Sequence, residues 1–137
     1  MENVKEKFIN SLMGVLKLDA ISVLKIFIEG EVSLLFLLYQ ENRPLPPSQI
    51  AQCLGVSKGR VTALLNSLAE KDYIEISLST EDRRRFDVSL TESGRLFLEE
   101  KKQKAEDCIE VMIERIGNQR TMELIDIISE IVQVMKE

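Results

Sequence analysis

Any chemistry in this 137-residue chain has to be done without histidine. That removes imidazole general bases, Ser-His-Asp and Cys-His nucleophile sets, and every histidine-containing zinc site. The two cysteines, Cys53 and Cys108, lie far apart and match no CxxC or zinc-ribbon spacing. Paired carboxylates, a metal-ligand set and a glycine-rich phosphate loop are all missing from the sequence pattern. The sequence therefore points away from an enzyme, and no metal or cofactor is expected. What remains is cationic and amide chemistry in two places. Lys58, Arg60 and Asn66 lie in a stretch, Val56 to Ala69, that contains no acidic residue. Arg83, Arg84 and Arg85 follow Asp82 in a polar run, Ser79 to Arg85. Guanidinium and ammonium groups donate to phosphate oxygens and to guanine O6 and N7, and an asparagine amide matches adenine.

Those groups need a scaffold, and the composition can supply one. Hydrophobic residues make up 45% of the chain and charged residues 30%, an ordinary globular balance at the size of one domain. Eighteen basic and twenty-three acidic side chains give a net charge of −5, which taken whole opposes a polyanionic partner. Divided along the chain, the charge tells a different story. Residues 1–42 hold four basic and six acidic side chains, a net −2. Residues 43–95 hold eight and seven, a net +1, and residues 96–137 hold six and ten, a net −4. The acidity lies mainly outside the two cationic stretches. The longest apolar run, Leu34 to Tyr39, is too short to span a bilayer, and the first thirty residues lack an apolar export core. A cytoplasmic location and no membrane partner are expected, and two isolated cysteines fit a reducing compartment.

Hydrophobic spacing predicts the elements. Val4, Phe8, Leu12, Val15 and Leu16 recur at helical spacing over residues 2–18. A second periodic stretch begins near Asp19 and passes through Ile21, Leu24, Phe27 and Ile28. Gly30 marks a weak point, after which Val32 to Tyr39 continues as a strongly apolar helix, stopped by Pro44, Pro46 and Pro47. Pro47-Ser48 opens a short helix with Ile50, Ala51 and Leu54 inward and Gly55 at its left-handed end. Val56 reads as a buried residue between two helices. Ser57 is an N-cap for a helix running to about Lys71, with Val61, Leu64, Leu65 and Leu68 inward. Its outward face then carries Ser57, Lys58, Arg60, Thr62, Ala63 and Asn66.

At Tyr73 the period changes to two. Tyr73 to Leu78 and Phe86 to Leu90 read as two strands of a hairpin whose tip is Ser79 to Arg85. Thr91-Glu92-Ser93 caps a long helix from Gly94 to about Arg115, and a last helix runs from near Gln119 to Lys136. Ile125, Ile128, Ile131, Val132 and Met135 share one face of it, and Met122, Ile127 and Val134 extend the apolar surface to a second. A helix apolar on two sides needs two partners, which supports dimerisation.

Helix, turn, helix and hairpin in this order make a winged helix-turn-helix, mostly α with a small β-hairpin wing. A helix of three to four turns fits a major groove about 12 Å wide, while the shorter helix braces it and the hairpin reaches sideways. Several stretches carry a family likeness: Leu45-Pro46-Pro47-Ser48-Gln49-Ile50-Ala51-Gln52-Cys53-Leu54-Gly55-Val56-Ser57, then Val61-Thr62, then Leu68-Ala69-Glu70-Lys71-Asp72-Tyr73-Ile74. The most specific is Asp82-Arg83-Arg84 followed by Leu90-Thr91-Glu92-Ser93-Gly94. In these residues the sequence resembles the MarR family of bacterial and archaeal transcription regulators. The resemblance implies a homodimer with interlocked N- and C-terminal helices, bound to pseudo-palindromic double-stranded DNA and in many cases released by a small molecule. It implies that Asp82 holds the wing by pairing with a neighbouring arginine and that Arg84 contacts DNA at the wing tip. Asp72 stands where the family usually has glycine, and a left-handed turn is still expected there.

The function expected is therefore a sequence-specific DNA-binding transcriptional regulator, a repressor released by a small-molecule effector. Residues 30–95 would bind DNA, with residues 1–29 and 96–137 as dimerisation helices. Two other readings stand beside it: a winged helix that docks proteins without DNA, and a thiol-based redox-responsive regulator acting through Cys53. Both cysteines read first as packed small residues. DNA binding requires Lys58, Arg60 and Arg83 to Arg85 to share one side.

Overall fold

A computed structural model of the chain describes residues 3–136. The helices are α1 (Val4–Leu16), α2 (Asp19–Lys25), α3 (Gly30–Glu41), α4 (Pro47–Leu54), α5 (Lys58–Glu70), α6 (Glu92–Ile116) and α7 (Asn118–Lys136). The strands β1 (Ile74–Leu78) and β2 (Phe86–Leu90) form an antiparallel hairpin between α5 and α6. The winged helix-turn-helix expected from the periodicity is present, with the change from period 3.6 to period 2 falling where the side-chain pattern changes.

The core belongs to the middle of the chain. Leu34, Leu35, Leu38, Leu45, Ile50, Val61, Leu68, Ile74, Val88 and Leu98 form one buried cluster. It fills the space between α3, the α4–α5 pair, the base of the hairpin and the first half of α6. Each such side chain contributes roughly 1.5–3 kcal/mol by leaving water. The inward stripe read for α5 is the buried one: Val61, Leu64, Leu65 and Leu68. Ser57 caps that helix, its side-chain oxygen accepting from the Arg60 N–H at 3.1 Å.

Three features of the chain's course differ from the spacing alone. The second helix stops at Lys25, short of Ile28, and the chain turns through i→i+3 backbone bonds before α3 starts. Gly30 makes that break possible, since its φ of 77° is costly for any residue with a Cβ. Phe27, left in the turn, packs edge-on against Phe36 with ring centroids 5.3 Å apart. Val56 is 36% exposed instead of buried, because the α4–α5 turn lies at the surface. The segment that only stopped a helix in sequence also pairs with the sheet: Leu45 N–H donates to Val88 O at 2.9 Å and Val88 N–H to Leu45 O at 2.8 Å. Pro46 drives Leu45 into extended backbone, and extended backbone beside a strand edge pairs with it.

The Leu-Thr-x-x-Gly stretch has a physical role at the base of the hairpin. Thr91 Oγ1 accepts from Gly94 N–H at 3.0 Å, capping α6, and donates to the Asp72 carbonyl at 2.6 Å. Asp72 itself takes the left-handed conformation, φ 61°. Gly94 packs against the Tyr73 carbonyl, where an added Cβ would collide with backbone. One threonine and one glycine thus lock the end of α5, the start of β1 and the start of α6 together.

The terminal helices behave differently. Neither α1 nor α7 buries a residue, although both are amphipathic. Phe8, Leu12, Ile125, Ile128 and Ile131 remain about half exposed. The long helix α6 joins the two regimes, packing on the winged helix through Gly94 and Leu98, burying Ala105 further along, and then exposing Val111, Met112 and Ile116.

Candidate nucleic-acid interface

The sequence places its polar chemistry on α5, and the structure leaves that face open. Ser57, Lys58, Arg60, Thr62, Ala63 and Asn66 are all exposed, while Val61, Leu64 and Leu65 between them are buried. At about 100° per residue, Lys58 and Arg60 leave the helix on opposite flanks of this face. Lys58 lines a crevice of roughly 320 Å³ with Thr62, Arg85, Phe86 and the Pro46–Ser48 segment. Arg60 lines another with Ile28, Glu29, Gly30, Leu54 and Val56, toward the start of α3. The two cations thus frame one outward face: Lys58 joins Arg85 beside the wing, and Arg60 stands at the opposite edge of that face. Two hydroxyls on this surface are partly engaged. The Thr62 hydroxyl donates to the Lys58 carbonyl at 3.0 Å, and Ser57 oxygen is the helix cap.

The hairpin tip is held by Ser79 and Asp82. The Ser79 hydroxyl oxygen, in a buried residue, accepts from the Glu81 N–H at 3.2 Å and the Asp82 N–H at 3.3 Å. Asp82 Oδ1 accepts from the Arg84 N–H at 3.0 Å and from Arg84 Nε at 3.4 Å. The arginine that Asp82 engages is therefore Arg84 itself, whose side chain is nonetheless 92% exposed. Backbone bonds from Ser79 N–H to Arg85 O, 2.9 Å, and from Arg85 N–H to Asp82 O, 3.0 Å, close the tip. Arg83 and Arg85 are exposed as well. Sequence reading missed Ser79; the available signal was a serine at a strand end before a polar tip, where a hydroxyl commonly caps a turn.

The hairpin's register puts Ile74, Ile76 and Leu78 opposite Leu90, Val88 and Phe86. Ile74 and Val88 on this apolar face are buried, while Ile76, Leu78 and Phe86 are exposed, Phe86 lining the Lys58 crevice. Electrostatic perturbation lies elsewhere, at the start of α6, where Glu92 pairs with Arg95, and at the α3–α5 junction. There the Glu31 carboxyl is held below its ordinary range, chiefly by its hydrogen bond from the Lys71 ammonium and then by that from Ser67. Lys71 is correspondingly raised by Glu31. Glu31 was not singled out in sequence, since an acid in the first turn of a helix is ordinary.

Cys53 is exposed on α4 and not packed, and Cys108 is half-buried. Among the described residues no group of acids and cysteines could hold a metal ion, and no helix is long and apolar enough to cross a membrane.

Residues 30–85, which span α3, α4, α5 and the hairpin up to its tip, match the family model of the MarR family. Through this segment, which is less than half of its length, the chain is similar to the MarR family. Among curated relatives, the HTH-type transcriptional repressor YetL of Bacillus subtilis is 33% identical over 73 residues, covering 53% of this chain and 44% of YetL. The chain spans less than half the length of the curated relatives it matches. Likeness to solved structures extends further. The transcriptional regulator Tm0710 of Thermotoga maritima is 26% identical with a TM-score of 0.63, over 96% of this chain and 93% of that one. FabT of Streptococcus pneumoniae, solved in complex with DNA, shares the fold at 23% identity and a TM-score of 0.71, over 95% of this chain and 94% of FabT.

Proposed function

We propose that this chain is a MarR-family protein, a dimeric, sequence-specific DNA-binding transcription regulator of the cytoplasm and a repressor released by a small-molecule effector. The observation that carries the reading is the exposed outer face of α5, acid-free from Val56 to Ala69, beside a basic hairpin tip. Lys58, Thr62, Ala63 and Asn66 would meet base edges, with Ser57 and Arg60 at the margins of the groove. Arg83, Arg84 and Arg85 would meet phosphate or the neighbouring minor groove, with Asp82 keeping the tip in shape. The half-exposed apolar faces of α1 and α7 would close on a second copy, which makes residues 1–29 and 96–137 the dimerisation helices. A two-fold dimer would present its recognition helices about 34–36 Å apart, matching successive major grooves. An effector that favours another spacing would release the operator.

The test is a mobility-shift titration with a duplex from the intergenic region upstream of its own gene, against random duplex of equal length. Preference for the upstream duplex by about a thousandfold or more is expected. Equal affinity for both would overturn the reading.

A further inference from the structure

The joint between α3 and α5 is built around one carboxylate. Glu31 lies in the first turn of α3, immediately after the positive-φ Gly30 and the turn that ends α2. Its side chain reaches across the fold to the far end of α5. Oε1 accepts from the Ser67 hydroxyl, and Oε2 accepts from Lys71 Nζ at 2.7 Å. Arg60 adds a further attraction from the other end of the same helix. These partners are not scattered. At about 100° per residue, Arg60, Leu64, Ser67 and Lys71 fall within about 60° of one another on α5. Leu64 in the middle of that stripe is buried, so one stripe of α5 faces α3 with an apolar centre and polar groups above and below.

Position gives the contact its consequence. Lys71 is the C-cap of α5, and β1 begins three residues later after the left-handed Asp72. Glu31 thus grips the point where the recognition helix hands over to the wing. Its own backbone is the first residue of α3 beyond Gly30, on the side of the turn away from α1 and α2. We infer that Glu31 is a positioning residue that sets the attitude of α5 and the wing on DNA, by holding Ser67 and Lys71 against the start of α3. It touches no DNA in this reading, which rests on the DNA-binding function proposed above.

A positioning role and a plain charge effect have opposite signs. Removing an acid near a DNA-facing surface raises affinity for every duplex. Loosening the recognition helix lowers affinity only for the duplex that must be read. Glu31→Gln should reduce the ratio of upstream-duplex to random-duplex affinity about three- to tenfold, within the range of coupling effects at a packed joint, with random-duplex affinity unchanged or higher. Glu31→Asp keeps the charge but shortens the reach by one methylene, and should also lower that ratio. Ser67→Ala should give a smaller loss of the same kind. Thermal unfolding of each variant, monitored in parallel, should remain a single cooperative transition.

A ratio unchanged in Glu31→Gln, or affinity raised equally for both duplexes, overturns the inference and leaves the DNA-binding reading standing. A wild-type chain with no preference for the upstream duplex overturns both.

Discussion

Leucine and isoleucine do opposite things in two regions of this molecule. In the winged helix, Leu34, Leu35, Leu45, Ile50, Leu68 and Leu98 lose their exposure entirely. In α1 and α7, residues of the same types at the same helical spacing keep about half of theirs. Helices of that length gain little from propensity alone and depend on burying an apolar face. The winged helix therefore completes its core within one chain. The terminal helices carry an equally clear pattern whose partner surface a single chain does not supply. A hydrophobic stripe tells which face will be buried and leaves open whether the covering surface comes from the same molecule.

A charge placed in the terminal stripe should separate the two regions most strongly. Ile128→Glu on α7 should abolish self-association, read as half the sedimenting mass, and lower affinity for the upstream duplex by about 10²–10⁴-fold through lost bivalency. Melting of the wild type should depend on protein concentration and that of the variant should not. An unchanged mass in the variant would place the covering surface elsewhere. The winged-helix core should respond in the opposite way. Leu68→Ala, at a fully buried position, should cost about 2–5 kcal/mol of stability by cavity formation, measured by denaturant unfolding, and at any protein concentration. A cost below about 1 kcal/mol would mean that α5 is not seated on that core.

What was legible follows the same division. The helix-turn-helix could be read because each boundary is written locally: Pro47 at a first turn, Gly55 in the left-handed position, Ser57 as a cap. The hairpin could be read because Phe86 to Leu90 alternates and a polar tip precedes it. Leu45 pairing with Val88 was illegible, since nothing local announces that a proline-flanked residue will meet a strand more than forty positions away. Glu31 was illegible for the same reason, as its partners are 36 and 40 residues distant. Arg60 was placed correctly on the surface, but its flank depends on where α3 crosses α5, which periodicity does not state. Asp82 was expected to pair with an arginine; that the partner is Arg84, itself expected at the DNA, was decided by the geometry of the tip.

The wing offers a smaller and more selective perturbation than either core. Arg84→Ala removes a side chain that is almost wholly exposed, so unfolding should barely change. If Arg84 contacts one phosphate, affinity should fall by a similar factor on upstream and random duplex, and the log–log salt slope should become shallower by about 1. A loss confined to the upstream duplex would instead mean direct reading of a base by the tip. Unchanged affinity would remove Arg84 from the interface.

The smallest effect concerns pH and the Glu31 joint. Lys71 and then Ser67 lower the Glu31 pKa from its ordinary 4.5, against a burial effect that raises it. A carboxylate depressed in the folded state stabilises the fold above its ordinary pKa, and that contribution is lost as pH falls through the folded value. Lys71, raised above its ordinary 10.5 by Glu31, stabilises below that value and loses its contribution as pH rises through the folded one. The joint therefore works between these limits. The stability difference between wild type and Glu31→Gln should be flat near neutral pH and shrink as pH drops below about 4.5. Glu92 is also held low, by Arg95, so the variant should keep part of the acid sensitivity of the wild type. A difference that stays constant down to about pH 3 would mean that Glu31 holds α5 by packing alone and not through its charge.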